Sequence, residues 1–554
     1  MISAGNKCVY QIYPKSFYDS DNDGYGDLSG IIEKLDYISS LGVDYIWLTP
    51  FFISPQKDNG YDVADYCKVD ERFGTMADLD ELIAKASERN IYLMLDMVFN
   101  HTSTEHEWFK KALKGERKYQ DYYIFRDGNE KLPPTNWKSK FGGSAWQYVP
   151  SLKKWYLHLF DASQADLNWD NPEVRKELKD IILFWKKKNI RGFRFDVINL
   201  ISKSEDFIDD EEGDGKRFYT DGPHVHEYIK ELVHDTGIED YFTVGEMSAT
   251  TIDNGIKYTS ANEKELAMCF HFQHLKVDYE KGQKWTLMKP DINELKQIFS
   301  LWQEGMEKGS GWDALFYCNH DQPRISSRFG DEGVFWDKSC KMIVASLHLM
   351  RGTPYIYQGE ELGMTNPHYC DIGDYRDVES LNYYKEATKN GVSKEMALKV
   401  LDSKSRDNGR TPMQWTNEKY GGFSHNSPWI KPNANYDRIN VKEEERDSES
   451  VLNFYRQLVR LRKSNKIISE GSIAFFNDVN PEVLCYVREY EGQHLVCLFN
   501  YSPSKVKLDL SSLKDFADKE GKLFLSNQMQ MNQMPMKVKQ SLDEYEALAL
   551  LYRD

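Results

Sequence analysis

The chain has 554 residues, of which 40% are hydrophobic and 14% aromatic, as is typical of a packed globular protein with more than one domain. Its formal net charge of −17 argues against nucleic acid or an anionic membrane surface as a partner. The sequence has no apolar run of the ~18 residues that a membrane span needs and no signal-peptide pattern, so we expect a cytoplasmic protein.

The first part of the chain alternates buried strands with amphipathic helices. The runs "CVYQIYP", "VDYIWLTP" and "IYLMLDMVFNH" have the apolar character of buried strands. Between the first two, "IIEKLDYISSLG" places Ile31, Leu35, Ile38 and Leu41 on one face and predicts a helix that ends at Gly42. The run "LDELIAKASERN" predicts a second helix. Strands that are apolar on both faces and alternate with helices indicate a parallel sheet.

The alternation stops at Thr102 and resumes after Asn168, so we expect an inserted subdomain over residues 102–168. It resumes with a predicted helix, "VRKELKDIILFWKKKNI", and a fourth strand, "GFRFDV". Four further strands are predicted at "DYFTVGE", "LAMCFHF", "ALFYCNHD" and "TPYIYQGEE". Eight such units predict a (β/α)8 barrel over residues 1–101 and 169–474.

Beyond residue 475 the pattern changes to short β runs such as "EVLCYVREYE" and "HLVCLFNYS". We therefore expect residues 475–554 to form an antiparallel β domain. The eight cysteines include no CxxC pair, and several lie in apolar runs of this kind. This pattern favours reduced core thiols over a disulfide or zinc site.

Polar residues follow several predicted strands at the point where each strand ends. Three of them are carboxylates on different strands, Asp196, Glu246 and Asp321. In a barrel these strand ends meet at one mouth, where catalytic groups gather. The alternative is a buried network of structural ion pairs, with Arg194 beside Asp196 as part of it. Packing alone gives no reason to bring three like charges together, whereas cleavage of a glycosidic bond requires paired carboxylates.

Four motifs that carry these residues resemble, in order and spacing, the signature regions of the α-amylase superfamily of glycoside hydrolases. They are "DMVFNH" (96–101), "GFRFDV" (192–197), "VGE" (244–246) and "NHD" (319–321). The resemblance implies that Asp196 is the nucleophile and Glu246 the acid/base, with a raised pKa. It also implies that Asp321 holds ring hydroxyls and that Arg194 keeps Asp196 ionised and oriented.

The resemblance also implies a set of residues that bind sugar. Phe141 matches an aromatic residue that packs against sugar in this superfamily, although a core phenylalanine would give the same pattern. The groups at the end of the pocket that holds the non-reducing sugar favour an exo-acting, retaining enzyme. The sugar-binding set is Asp58, Tyr61, His101, Phe141, Arg194, His320 and Arg410.

The stretch "DSDNDGYGD" (19–27) spaces oxygen ligands as the first half of a calcium-binding loop does. The bidentate Glu of a complete EF-hand loop is missing, since Gly30 stands at that position. An acidic surface turn is the alternative. Related oligosaccharide-cleaving enzymes carry a similar loop, and the resemblance implies a structural Ca²⁺ and no organic cofactor. The ligands would be Asp19, Asp21, Asp23, Asp27 and the carbonyl of Tyr25.

Within the superfamily, the chain is most similar to enzymes that hydrolyse trehalose 6-phosphate, with oligo-1,6-glucosidases as near relatives. Stretches such as "NWKSKFGGSAW" and "HLKVDYEKGQKW" carry this similarity. A phosphorylated disaccharide requires a cation near the leaving group, for which Lys276, Lys284 and Arg324 are the candidates. Each of them has an ordinary structural alternative, such as a solvated lysine or an arginine paired with a nearby acid.

Three other functions compete with this one. An oligo-1,6-glucosidase acting on isomaltose-type sugars is disfavoured by Ala165, where those enzymes are expected to carry proline, and by Lys276. A sucrose isomerase would need more arginine after the seventh strand than Arg324 and Arg328. A non-catalytic relative that partners a membrane transporter would have lost carboxylates and gained a membrane span.

Overall fold

The computed structural model describes residues 4–528 and 535–554. Within these ranges, eight parallel strands form one sheet in the order Met268–Phe270, Phe242–Glu246, Gly192–Phe195, Tyr92–Met97, Tyr45–Leu48, Val9–Ile12, Thr353–Tyr357 and Ala314–Leu315. An isolated parallel bridge between Cys269 in the first of these strands and Asp313, just before the last, joins the two ends of this sheet. The predicted (β/α)8 barrel is therefore confirmed. Its strands are β1 (Val9–Ile12), β2 (Tyr45–Leu48), β3 (Tyr92–Met97), β4 (Gly192–Phe195), β5 (Phe242–Glu246), β6 (Met268–Phe270), β7 (Ala314–Leu315) and β8 (Thr353–Tyr357).

Amphipathic helices follow the barrel strands, and side-chain caps define where several of them begin. Thr75 and Asp78 form a reciprocal capping box at the start of Met76–Glu88. Asn171 caps Pro172–Lys187, whose first residue is the proline favoured at that position. The other helices that follow strands of the barrel are Leu28–Glu33, Leu35–Ser40, Val225–Thr236, Ile252–Thr259, Ile292–Lys308, Ile325–Arg328, Trp336–His348, Val378–Lys389, Lys394–Lys404, Val441–Arg446, Val451–Ser464 and Lys466–Ser469.

The helix predicted over "IIEKLDYISSLG" is divided in two at Lys34, which has non-helical dihedral angles of φ −99° and ψ 6°. The Lys34 ammonium lies 3.8 Å from the ring centre of Tyr18 and 4.8 Å from that of Trp415. The predicted apolar face is nevertheless buried as expected, and Gly42 has the positive φ of 80° that favours glycine after a helix.

Short elements occupy the predicted insertion between β3 and Pro172–Lys187. Its strands are His101–Ser103, Phe125–Asp127, Trp146–Val149, Lys154–Leu157 and Gln164–Asp166, and its helices are Glu107–Leu113 and Arg117–Gln120. Strand Gln164–Asp166 pairs antiparallel with His101–Ser103, so the insertion ends beside the point at which it begins. A two-stranded pair, Phe52–Ile53 with Asp65–Val69, lies between β2 and the next helix.

The described part of the C-terminal segment is built mainly from antiparallel strands. Six of them form one sheet in the order Ser472–Phe475, Val483–Tyr490, Gln493–Asn500, Ala547–Arg553, Gly521–Ser526 and Pro535–Met536. The pair Val506–Lys507 and Ser541–Leu542 and the short helix Lys514–Ala517 complete this region. The predicted antiparallel β domain is thus confirmed as a fold. Residues 1–3 and 529–534, which fall within the predicted domains, lie outside the described residues.

Across residues 4–528 and 535–554, every helix is too short or too polar to cross a lipid bilayer.

Candidate active site

A cavity of about 490 Å³ opens where the barrel strands end. Its lining includes Asp196, which directly follows β4, Glu246, the last residue of β5, and Asp321, which lies beyond β7. The parallel strands bring these carboxylates to the same end of the barrel although they are far apart in sequence. The structure therefore brings the three predicted catalytic groups together, and their chemical roles stay predictions.

Arg194 on β4 contacts two of these carboxylates, those of Asp196 and Glu246. Its Nη1 atom donates to Asp196 Oδ1 at 2.6 Å and to Asp96 Oδ1 at 2.6 Å. Its Nη2 atom contacts Glu246 Oε2. The guanidinium is fully buried, and its own pKa is raised because the charges of Asp96 and Asp196 outweigh the effect of burial. One buried cation thus orients the predicted nucleophile and the predicted acid/base as neighbours.

Backbone geometry at Val197 turns the chain immediately after Asp196. Val197 has φ 36° and ψ 41°, a left-handed conformation that a β-branched side chain rarely adopts. Such a residue costs on the order of 1–3 kcal/mol of strain and persists only where the surrounding packing holds it. Both Asp196 and Val197 line the cavity as a result.

Two arginines from one short 3₁₀ segment, Arg406–Gly409 and the residue after it, hold Asp321. Arg410 Nη2 lies 2.6 Å from Asp321 Oδ1, and Arg406 Nη1 lies 3.3 Å from the same oxygen. Burial alone would raise the pKa of Asp321, but the charges of His320, Arg406 and Arg410 hold that pKa well below its usual range. Asp321 is therefore an ionised acceptor for hydroxyl groups in the cavity.

The part of the cavity lined by the buried residues Asp58, Gln164 and Arg406 is its closed end, and Asp58 belongs there to the same network of charges. Its Oδ1 accepts from Arg406 Nη2 at 2.9 Å, and its Oδ2 accepts from Gln164 Nε2 at 3.0 Å. Burial raises the pKa of Asp58 to about 7, against the lowering effects of Arg406 and Arg410. Arg406 also binds the fully buried Asp377 at 2.5 Å, so this end of the cavity is filled by an ion-pair network.

The remaining predicted sugar-binding residues surround these carboxylates. Tyr61 stacks on His320 with ring centres 5.0 Å apart, and its hydroxyl donates to Asp96 at 2.8 Å. His101 Nε2 lies 3.1 Å from the Tyr61 carbonyl oxygen. Phe141 lines the cavity, and the Arg406 guanidinium lies 4.7 Å from its ring centre. His320 lies behind the lining, with its Nε2 3.3 Å from Asp321 Oδ2.

The three predicted phosphate-binding cations have different surroundings. Lys276 and Lys284 line the cavity. The ammonium of Lys284 lies 2.5 Å from a carboxylate oxygen of Glu379, which neutralises its charge. Arg324 does not lie at the cavity: it is 1% exposed, and its Nη1 donates to the Gln358 carbonyl oxygen at 2.6 Å. The expectation that Arg324 binds phosphate is therefore corrected, because its guanidinium points into the barrel wall.

Sequence reasoning missed several residues at the cavity. Lys140 lies within the quoted stretch "NWKSKFGGSAW", Gln164 directly precedes Ala165, and Arg406 lies four residues before Arg410, but only Phe141, Ala165 and Arg410 were selected. A signal for Arg406 was present, because positions 406 and 410 are one helical turn apart and can point the same way. Lys216 had no such signal. It lies in a loop between β4 and Val225–Thr236 that the sequence does not connect to the cavity.

The predicted calcium-binding stretch forms a tight turn before Leu28–Glu33. Carboxylate oxygens of Asp19, Asp21 and Asp27 lie within 4.8 Å of one another, and two of these residues are buried. Asp23 is not part of this group, and its carboxylate accepts instead from the Tyr25 amide at 2.7 Å. Burial, with a smaller effect of the Asp21 carboxylate, raises the pKa of Asp27. Oxygen donors crowded in this way fit a hard cation such as Ca²⁺.

Comparison with known proteins agrees with the barrel and its site. The family described as alpha amylase, catalytic domain, matches residues 11–471, and the maltogenic amylase C-terminal domain matches residues 473–546. Trehalose-6-phosphate hydrolase of Escherichia coli K12 is 52% identical over 90% of each chain. Oligo-1,6-glucosidase of Bacillus cereus is 45% identical over 94% of each chain. The crystal structure of Bacillus licheniformis trehalose-6-phosphate hydrolase superposes with a TM-score of 0.93 at 47% identity over 99% of each chain. The chain belongs to the α-amylase family of glycoside hydrolases.

Proposed function

We propose that the protein is an exo-acting, retaining hydrolase that cleaves trehalose 6-phosphate to glucose and glucose 6-phosphate. The observation that supports this most directly is the layout of charge in the cavity. Carboxylates paired with arginines occupy its closed end, while Lys140, Lys216 and Lys276 line the same cavity. The similarity to the trehalose-6-phosphate hydrolase of Escherichia coli adds support for a phosphorylated substrate.

The proposed reaction proceeds by double displacement. In the first step Asp196 attacks the anomeric carbon while Glu246 gives a proton to the glycosidic oxygen. The bond between the anomeric carbon and the glycosidic oxygen breaks, and glucose 6-phosphate leaves. In the second step Glu246 accepts a proton from water, whose oxygen attacks the anomeric carbon and releases Asp196. Two inversions retain the α configuration, and Asp321 holds hydroxyl groups of the distorted ring throughout.

The same layout supports exo-action on the unphosphorylated ring. The network of Asp58, Arg406 and Asp377 fills the cavity end that would otherwise admit further sugar units. A terminal glucose can therefore enter, whereas a longer chain cannot continue past it. The leaving sugar faces the open side of the cavity.

The test is glucose release by the purified protein from trehalose 6-phosphate, trehalose and isomaltose at equal concentration. We expect a strong preference for the phosphorylated sugar and no activity in Asp196→Asn, with retention followed by NMR of the released anomer. A preference for isomaltose would instead identify an oligo-1,6-glucosidase with the same catalytic groups, and would refute the phosphorylated substrate.

We also propose that the turn containing Asp19, Asp21 and Asp27 binds a structural Ca²⁺, with Asp23 and the Tyr25 carbonyl as further candidate ligands. The convergence of three carboxylates supports this site. Because the turn follows β1 and contributes no residue to the cavity lining, the ion would stabilise the fold and take no part in the reaction.

We propose a cytoplasmic location as well. All eight cysteines are free thiols, as a reducing compartment favours. A phosphorylated sugar also cannot cross a membrane unaided, so an enzyme that consumes it belongs where a phosphorylating import system delivers it.

A further inference from the structure

The nucleophile and the acid/base of the proposed reaction follow the last paired residues of two neighbouring strands. The hydrogen-bonded ladder between β4 and β5 ends at the pair of Phe195 with Gly245, and Asp196 and Glu246 come directly after it. A ladder fixes the strands that it joins, but its hold ends where the pairing ends. The loops that follow the two carboxylates must therefore be held in register by other contacts.

Asn199 connects the loop after β4 with the loop after β5. It lies three residues beyond Asp196 in the 3₁₀ turn Ile198–Leu200, and it is fully buried. Its Oδ1 atom accepts from the Ser248 amide at 3.0 Å, and Ser248 is two residues beyond Glu246. One side-chain amide thus ties the backbone that follows the nucleophile to the backbone that follows the acid/base.

Asp221 holds the Asn199 side chain in this orientation. Its Oδ1 accepts from Asn199 Nδ2 at 3.1 Å, and its own amide donates to the Asn199 carbonyl oxygen at 2.9 Å. The Asp221 carboxylate also accepts from three donors that follow β5, namely Thr250 Oγ1 at 2.8 Å, Asn254 Nδ2 at 2.9 Å and the Tyr258 hydroxyl at 2.7 Å. Asp221 therefore binds the segment beyond β5 and Asn199 at the same time.

The same two segments are also packed closely together. A Cβ atom at Gly245 would lie 3.0 Å from Ile198 Cγ2, so the turn after Asp196 comes this close to the residue before Glu246 only because that residue has no side chain. Asp221 has a φ of 49°, a left-handed conformation that aspartate and asparagine adopt more readily than most residues. Packing and hydrogen bonds thus restrain the two loops together.

We propose that Asn199 and Asp221 are positioning residues that set the place of the Glu246 carboxyl group relative to Asp196. This inference rests on the proposed function, because it concerns the acid/base of that reaction. Retaining glycosidases keep their two carboxyl groups only about 5–5.5 Å apart, so a small shift of the loop after β5 moves the acid away from the glycosidic oxygen. Arg194 contacts both carboxylates from β4, whereas Asn199 and Asp221 restrain the backbone beyond Glu246.

The test compares two leaving groups in Asn199→Leu, a variant that keeps the side-chain volume and removes the hydrogen bonds. Misplacing a catalytic group by about 1 Å costs on the order of 100-fold, so kcat/KM for trehalose 6-phosphate should fall by about that factor. The value for p-nitrophenyl α-glucoside should fall much less, because p-nitrophenolate leaves with little help from a general acid. Asp221→Asn should lower the same ratio of the two values, since its amide nitrogen would face donors.

A double variant and a control separate positioning from stability. Asn199→Asp alone places two carboxylates opposite each other and should lower the ratio strongly, whereas Asn199→Asp combined with Asp221→Asn restores a donor and an acceptor and should recover part of it. Asn500→Leu is the matched control: Asn500 is fully buried in the C-terminal β domain, accepts from the Ser502 amide at 2.9 Å and donates to two carbonyl oxygens. Its loss should lower the melting temperature and leave the ratio unchanged.

The outcomes distinguish this proposal from the proposed function. Equal losses on both substrates would overturn the positioning role, because the defect would then lie in the nucleophile or in the fold, and an unchanged ratio in Asn199→Leu and Asp221→Asn would overturn it as well. If Asn199→Leu does not fold, the isosteric Asp221→Asn gives the same reading. A wild-type protein that prefers isomaltose refutes the proposed function alone, and the comparison is then made with isomaltose, whose leaving group is also a sugar.

Discussion

Raising the pH from 7 to 9 should weaken the preference for the phosphorylated sugar, because Lys140 loses its proton in this range. With a pKa of about 8, Lys140 is charged in about nine-tenths of molecules at pH 7 and in about one-tenth at pH 9. The phosphate is a dianion throughout, since its second pKa is about 6. If binding requires the charged ammonium, kcat/KM for trehalose 6-phosphate should fall about tenfold from this group alone.

Other groups at the site determine how the experiment must be controlled. The charged groups around Lys140 are Lys216, Lys276, Asp214 and Asp166, of which the two lysines lower its pKa and the two carboxylates raise it. Removing Lys276 should therefore raise the pKa of Lys140 and move the fall in activity to higher pH. Glu246 must carry its proton to assist the departure of a sugar, whereas p-nitrophenolate leaves with little such help, so the reference substrate for the pH profile is trehalose, whose leaving group is also a sugar.

The assay is the pH profile of kcat/KM for trehalose 6-phosphate divided by that for trehalose, which has the same leaving group without the phosphate. The quotient cancels losses that the two substrates share and reports the free enzyme. We expect the quotient to fall between pH 7 and 9 in the wild-type protein and to be flat and low in Lys140→Met. The control is Lys138→Met, since Lys138 is exposed on the same segment and does not line the cavity, and its quotient should fall as in the wild-type protein. A flat quotient in the wild-type protein would refute the argument, since no lysine titrating near pH 8 would then contribute to phosphate binding.

Two further predictions concern stability. Arg406→Gln removes the cation that Asp58 and Asp377 share, and breaking a buried pair costs about 3–5 kcal/mol, so this variant should unfold at clearly lower temperature and lose activity on both substrates. The exposed pair of Arg446 with Glu443 contributes at most about 1 kcal/mol, so Arg446→Gln is the control, and equal melting temperatures for the two variants would contradict this reading. After EDTA treatment, added Ca²⁺ at 100 times its dissociation constant should stabilise the protein by about 2.7 kcal/mol and raise its melting temperature. The melting temperature of Asp21→Asn should respond less to added Ca²⁺. Identical unfolding curves with and without Ca²⁺ would contradict the metal site.

The parts of the site that depend on strand register could be predicted from the sequence. Arg194 and Asp196 are two residues apart, so they point to the same side of β4, and the barrel brings Glu246 and Asp321 to the same end. A motif that includes the end of a strand thus fixes where its own side chains lie relative to the barrel. The eight strands of the barrel were predictable for the same reason, since each is a short apolar run followed by an amphipathic helix.

The cations around the leaving group could not be predicted in this way. Lys140 and Lys216 are 76 residues apart in sequence, and the segments that carry them come together where Gly215 packs on Trp137. Lys284 lines the cavity, but its ammonium group is paired with the carboxylate of Glu379, 95 residues further along the chain. Arg324 follows Asp321 closely, yet it precedes the short helix Ile325–Arg328 and turns into the barrel wall. Loop contacts between distant segments decided all of these outcomes.

The distribution of charge also explains why a phosphate can be accepted at one end of the cavity only. At the closed end, Asp58, Asp196 and Asp321 are paired with arginines, so this end offers carboxylate acceptors to the hydroxyl groups of a neutral sugar. A phosphate dianion placed there would meet three carboxylates at short range, and the repulsion would be little screened in a buried pocket. On the lysine-lined side the charges are reversed, although the protein as a whole carries −17. Because screening limits that overall charge to about 8 Å, the local lysines dominate, and the phosphorylated ring must be the one that leaves.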